Sequence, residues 1–117
     1  MARQMRDPQG PKFIRYFDSV IRALKTLGGS GRTKQVVELV AQIKGVTEAD
    51  QNELLASGVS RFYTEVNFAR QYLFWAGYVD SSRRGIWSLT EKGLATSEIT
   101  DAEALRLFNA CYARLGR

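Results

Sequence analysis

Between residues 61 and 71 lies a set of polar side chains that could form hydrogen bonds with nucleic acid. Asn, Gln and Arg can bond base edges in the major groove, and Thr and Tyr hydroxyls can bond phosphates. The predicted contact residues of this segment are Arg61, Tyr63, Thr64, Asn67, Arg70 and Gln71. A solvent-facing helix with no binding role is the alternative interpretation, because polar residues alone do not define a site.

Two adjacent arginines, Arg83 and Arg84, are the sharpest electrostatic feature of the chain. They lie in a five-residue loop, 81–85, between the short apolar runs 78–80 and 86–90. Two guanidiniums on a tight loop can contact a phosphate backbone or enter a minor groove. Lys92, shortly after the second run, is the last predicted contact residue. A solvated turn is the alternative interpretation of the arginine pair.

The elements that would position these side chains are a helix and a hairpin. Apolar residues recur at steps of three and four in the central segment, as in a helix that buries one stripe. Ser60 is a predicted N-cap, and Gly77 lies where such a helix should stop. The stripe comprises Phe62, Val66, Ala69, Leu73 and Ala76. The two apolar runs around the arginines predict a β-hairpin.

The segment before residue 60 predicts three further helices. The first begins near Pro11, after a flexible lead-in of residues 1–10, and stops at the glycine-rich stretch 28–31. The second opens at Thr33 as its N-cap and ends at Gly45. A sequence resembling a capping box begins at Thr47 and predicts a short third helix, which carries Leu54 and Leu55.

A last helix is predicted after the hairpin. A brief helical turn is predicted after residues 90–93 leave the hairpin, and it runs to about residue 96. Residues 100–103 form a full capping box, which begins the last helix. The inner stripe of the last helix would comprise Leu105, Phe108, Tyr112 and Leu115. Such a helix could pack on the body, form a homodimer, or lead to a further domain.

A helix that leads directly into a hairpin with a basic tip is typical of a winged helix. We therefore predict a mainly α fold with a small β-hairpin, a winged helix-turn-helix over residues 11–97. Residues 98–117 would add a C-terminal helix. The length of 117 residues suits one such domain with a single core.

Composition limits the possible chemistry and location. The formal charge of +5 favours a polyanionic partner. One Cys and no His exclude zinc fingers and Ser-His or Cys-His nucleophile pairs, so we expect no cofactor. Cys111 lies in a helical pattern, so we expect it to be a small buried or half-buried apolar residue. A single Cys cannot form an intramolecular disulfide, which indicates a reducing, cytoplasmic compartment. No apolar run approaches the roughly 20 residues that cross a bilayer, so we expect no membrane partner.

Charge is segregated along the chain. Residues 1–44 carry nine basic and three acidic groups, whereas residues 45–60 carry three acidic groups and no basic one. An acidic stretch would avoid phosphates, so we expect residues 45–60 to lie away from bound DNA.

Several motifs together resemble the N-terminal domain of Mrr-type restriction endonucleases. They are the SG at 57–58, N-x-A-R at 67–70, AG at 76–77 and R-G-x-W-x-L-T-x-x-G at 84–93. The resemblance covers roughly residues 11–95. It implies a winged-helix domain that binds double-stranded DNA, often with modified, typically methylated, bases, and that guides a separate nuclease domain.

The nuclease motif of that family has only a partial match in the chain. The tripeptide 42–44, with Asp18 upstream, resembles the metal-binding PD-(D/E)xK pattern, but both parts lie in predicted helices. We therefore expect this chain to be the non-catalytic, DNA-recognition domain of a longer restriction enzyme, or a free-standing relative of such a domain. A winged-helix protein-interaction or dimerisation module is the main alternative, and an enzyme in its own right is the third.

Overall fold

The structure is a computed structural model that describes residues 10–80 and 83–115, so the predicted lead-in lies almost wholly outside the described residues. A 3-10 helix at Lys12–Tyr16 begins the described part. The helices that follow are α1 (Phe17–Thr26), α2 (Thr33–Lys44), α3 (Glu48–Gln51), α4 (Arg61–Trp75), α5 (Glu91–Ala95) and α6 (Asp101–Leu115). The strands are β1 (Ser30–Arg32), β2 (Val79–Asp80) and β3 (Ile86–Leu89). The predicted mainly helical architecture with a small hairpin is confirmed.

The three strands form one antiparallel sheet in the order β1-β3-β2. The predicted hairpin is confirmed, with Val79 opposite Leu89. The sequence does not predict strand β1, because the glycine-rich stretch 28–31 indicates a turn and Thr33 indicates the start of a helix. Gly28 and Gly29 adopt φ values of 88° and 107°, which turn the chain so that the next residues run beside β3. The pairing then places Gly31 opposite Trp87.

The core lies between α1, α2, α4 and the inner face of the sheet. The predicted stripe of α4 is confirmed from Phe62 to Leu73, and the first two helices each bury one face. The largest fully buried side chains are Tyr16, Phe17, Leu24, Leu73, Val20, Val36, Val40, Val66 and Val79. Burial of these apolar groups is the dominant stabilising contribution to such a fold.

Two predicted helix boundaries are wrong. The N-cap of α2 is Arg32 rather than Thr33, because the Gln35 side chain accepts a hydrogen bond from the Arg32 backbone N–H at 2.9 Å. Helix α3 ends at Gln51, so it does not carry Leu54 or Leu55. The chain instead pairs Leu54 with Ser60 in an isolated bridge, which leaves the Leu54 side chain 59% exposed.

Helix α6 packs on the body of the domain. Its predicted capping box is confirmed, because Thr100 and Glu103 exchange hydrogen bonds at 2.9 and 3.2 Å. The buried positions include Ala104 and Cys111, with Phe108 partly buried, whereas Tyr112 is 59% exposed. The predicted inner stripe is therefore wrong at Tyr112, because the side of α6 that packs on α4 carries Cys111 at this turn of the helix. Leu115 has no described side chain.

Aromatic contacts join α6 to the rest of the molecule. The Phe108 ring lies 5.8 Å from the ring of Phe13 and 5.0 Å from the ring of Tyr72. The Arg114 guanidinium donates to the Trp75 carbonyl at 3.3 Å. Residues before α6 are also held, because the Ile99 backbone N–H donates to Asp18 Oδ1 at 2.9 Å. The C-terminal helix thus belongs to the same packed unit as the helices before it.

Candidate nucleic-acid interface

The first half of α4 presents polar side chains that are engaged with their own helix. Ser60 is the N-cap, because its hydroxyl accepts from the Tyr63 backbone N–H at 3.2 Å. The Thr64 hydroxyl donates to the Ser60 carbonyl at 2.9 Å, and Asn67 Nδ2 donates to the Tyr63 carbonyl at 2.9 Å. Tyr63 is exposed, while Thr64, Asn67 and Gln71 are half-buried. The Asn67 amide nitrogen carries two hydrogens, so one remains for a base contact while the other bonds the Tyr63 carbonyl.

Arg70 connects α4 to the hairpin. Its guanidinium carbon lies 5.2 Å from the centre of the Trp87 ring in β3. The Arg70 Nε atom is buried and has no hydrogen-bond partner among the described residues, and burial lowers the pKa of this guanidinium from its usual value. The side chain stays charged, because an arginine pKa lies far above neutral pH. The contact therefore places a positive charge where the helix meets the strand that leaves the hairpin loop.

The hairpin loop, which we call the wing, carries the predicted arginine pair on its surface. Arg83 and Arg84 are exposed, while residues 81 and 82 lie outside the described part. The Ile86 backbone N–H donates to the Arg83 carbonyl at 3.1 Å, and Gly85 adopts a φ of 77°. This turn needs a residue that tolerates positive φ, which explains the glycine directly after the arginines.

The wing contacts the start of α2, which the sequence did not suggest. The Thr33 backbone N–H donates to the Gly85 carbonyl at 3.2 Å, and Arg32 lies opposite Ile86 in the sheet. Two exposed cations that were not predicted contact residues, Arg32 and Lys34, therefore lie beside the wing. The pairing of β1 with β3 brings Arg32 and Lys34 beside the wing. The sequence does not predict this pairing, because β1 lacks the alternation of apolar and polar residues that indicates a strand.

Two other predicted contact residues already have partners within the chain. Arg61 Nε lies 3.1 Å from Glu53 Oε2, and its backbone N–H donates to the Glu53 carbonyl at 2.9 Å. Lys92 Nζ donates to the Ala76 carbonyl at the end of α4 at 3.0 Å and lies 4.5 Å from the centre of the Tyr78 ring. The structure thus joins Arg70 to the hairpin, and it places Arg61 beside the acidic segment and Lys92 beneath the C-terminus of α4.

The acidic side chains of the described part form no cluster of three or more with Cys or other acidic residues that could hold a metal ion. Asp18, the upstream member of the partial nuclease pattern, accepts hydrogen bonds from the Ile99 backbone N–H and from Arg22. Among the described residues, no helix has both the length and the apolar character needed to cross a bilayer.

Comparison with known protein families gives a match to the Mrr N-terminal domain over residues 13–98. The search of curated proteins and the search of solved structures found no match. The matched region begins within the 3-10 helix and ends just before Ile99, so it includes α1, the whole sheet, α4 and α5. The chain belongs to the Mrr N-terminal domain family.

Proposed function

We propose that this chain is the DNA-recognition domain of an Mrr-like restriction endonuclease, a winged helix that binds duplex DNA through α4 and the wing. The observation that carries the proposal is the Arg70–Trp87 contact, which couples α4 to the strand that follows the wing arginines. The order of elements, with β1 before α2 and the hairpin after α4, also supports a winged helix.

In this proposal the two surfaces have different roles. Arg83 and Arg84 bind phosphates, which positions the domain without reading sequence. Tyr63, Asn67 and Gln71 lie towards the groove and contact base edges or the backbone. Base contacts would make binding depend on sequence or on modified, typically methylated, bases, as the family resemblance implies.

The proposed role includes no catalysis by this segment and needs no cofactor. DNA cleavage would come from a nuclease domain in the full-length protein, and restriction of DNA would take place in the cytoplasm. The engagement of Asp18 by Ile99 and Arg22 supports a structural role for this carboxylate instead of metal binding.

The test is binding of a fluorescent duplex, measured by anisotropy over a range of salt concentrations. Phosphate contacts release counterions, so the affinity of the parent chain should fall steeply as salt rises. The double variant Arg83→Ala/Arg84→Ala should bind all duplexes more weakly, and its plot of log K against log salt should be shallower by about 2.

The matched control removes two positive charges from α6 with Arg106→Ala/Arg114→Ala, which should leave the salt slope near that of the parent. Asn67→Ala should instead change the preference among duplex sequences or modified bases while it leaves the slope nearly unchanged. A parent chain without salt-sensitive duplex binding would rule out the proposed function.

A protein-interaction or dimerisation module is the second candidate. The observation that favours it is an aromatic surface that extends from the core to solvent, with Phe68 51% exposed and Trp75 38% exposed. Phe13 lies between α4 and α6, with its ring 5.5 Å from that of Phe68. Sedimentation of the parent chain and of Phe68→Ser distinguishes the two candidates, because a homodimer through this surface should dissociate in the variant.

A further inference from the structure

We propose that the start of α2 forms a second phosphate-binding surface, in which Arg32 and Lys34 act together with the wing arginines on one strand of duplex DNA. This inference rests on the proposed function and extends it to residues outside α4 and the hairpin. Its ligand is the DNA backbone, because the surface clusters four exposed cations, and phosphate oxygens receive most of the hydrogen bonds that proteins make to DNA.

Backbone pairing fixes the position of the new residues relative to the wing. Arg32 and Ile86 are partners in the antiparallel register, and the Thr33 N–H donates to the Gly85 carbonyl at 3.2 Å. Arg84 directly precedes Gly85, and Arg32 and Lys34 directly flank Thr33. The four cations therefore project from two chain segments that are hydrogen-bonded to each other.

Exposure and charge make this cluster available to an anion. All four side chains are exposed, and no ion pair within the described residues involves any of them. The Arg32 backbone N–H donates to the Gln35 side chain, and the Arg32 guanidinium takes no part in this helix cap. Two acidic residues lie near these cations. Glu38 follows Lys34 by one turn of α2, and Asp80 lies in β2 opposite Ser88, three residues before Arg83.

The alternation of side chains along β1 explains why the Arg32 side chain faces solvent and not the core. Side chains alternate across a strand, so the partners Gly31 and Trp87 share the inner face while Arg32 and Ile86 share the outer one. Trp87 is buried, and the opposite face carries the exposed Arg32. Arg70 rests on the inner side through Trp87, so positive charge flanks both faces of the sheet at the base of the wing.

The experiment compares duplex binding by the parent with that by Arg32→Gln/Lys34→Gln in the same salt titration. Removal of two phosphate contacts should make the salt slope shallower by about 2 and weaken binding roughly 10- to 50-fold at 100 mM salt. The loss should be similar for unrelated duplex sequences, because phosphates carry no sequence information. Circular dichroism and thermal unfolding check that the variant folds.

Two further variants make the outcome decisive. The conservative variant Arg32→Lys/Lys34→Arg keeps both charges and should keep the parent slope, whereas Lys44→Gln/Arg106→Gln removes two charges elsewhere and should also keep it. If Arg32→Gln/Lys34→Gln binds like the parent while the wing variant binds weakly, the further inference is wrong and the proposed function stands. If the parent itself shows no salt-sensitive binding, both proposals are wrong.

Discussion

Substitution of Gly93 by alanine should destabilise the domain through a close backbone approach at the base of the hairpin. A Cβ at this position would lie 2.3 Å from the Tyr78 carbonyl oxygen and 3.0 Å from Leu89 Cδ2. The Tyr78 carbonyl also accepts the Thr90 backbone N–H at 3.1 Å. Because the obstacle is backbone, α5 must move away from β2, and this hydrogen bond lengthens or breaks.

The expected loss follows from three contributions. Overpacking of a tight site costs about 1–3 kcal/mol, and loss of the Thr90–Tyr78 hydrogen bond costs about 1 kcal/mol. Alanine regains at most about 1 kcal/mol of helix propensity in the short helix α5. The free energy of unfolding should therefore fall by about 1–4 kcal/mol, which lowers Tm by roughly 4–16 °C in a domain of this size.

Urea denaturation followed by circular dichroism measures this loss, and Gly31→Ala is a matched control. A Cβ at Gly31 would lie 2.7 Å from Leu27 Cδ1, which is the end of a flexible, half-buried side chain that can move. Gly31→Ala should therefore cost less than Gly93→Ala. A Gly93→Ala variant within about 0.5 kcal/mol of the parent would show that α5 does not approach β2 this closely.

Three further changes test the cap of α4, the helix–hairpin contact and the cap of α6. Ser60→Ala should lower the free energy of unfolding by about 1 kcal/mol in urea denaturation, because it removes the side-chain N-cap of α4. Arg70→Met should keep stability within about 1 kcal/mol of the parent, since it removes a buried Nε that lacks a partner, but should weaken duplex binding measured by anisotropy; unchanged binding would restrict Arg70 to packing on Trp87. Glu103→Gln tests a carboxyl whose pKa is lowered by hydrogen bonds from the Thr100 backbone and side chain. The folded form has the lower pKa, so the carboxylate stabilises the fold above its unfolded pKa of about 4.5 and loses this effect as pH falls through the folded pKa. Thermal unfolding from about pH 3 to pH 7 should thus show parent and variant converging at the acid end.

The local signals in the sequence predicted most of the helical architecture. The apolar stripe from Phe62 to Leu73 and the caps at Ser60 and Thr100 depend on residues three or four positions apart, so a single stretch of sequence contains them. Strand β1 has no such signal, because it exists through pairing with a strand more than 50 residues away. The orientation of α6 was missed at Tyr112 for a related reason, since two neighbouring stripes of that helix are both apolar.

In the candidate interface, too, features set by local sequence could be predicted and features set by tertiary contacts could not. An adjacent arginine pair before glycine predicted an exposed basic loop without tertiary information, and its exposure is confirmed. The partners of Arg61, Arg70 and Lys92 could not be predicted, because each contact crosses between elements. Long basic side chains also have aliphatic stems and can pack on rings or cap helices as readily as they face solvent.

The position of the acidic segment indicates which end of α4 would approach DNA. The sequence predicts that residues 45–60 lie away from bound DNA, and Glu53 of this segment pairs with Arg61 in the first turn of α4. That pair cancels charge at the N-terminal end of the helix, whereas Arg70, nine residues and about 13 Å further along, contacts Trp87 in the strand that follows the wing. Attraction to a duplex should therefore be strongest where the second half of α4, the wing and the start of α2 meet. Charge reversal with Glu53→Lys should then raise duplex affinity less than Asp80→Asn on the hairpin, although it changes the net charge by twice as much.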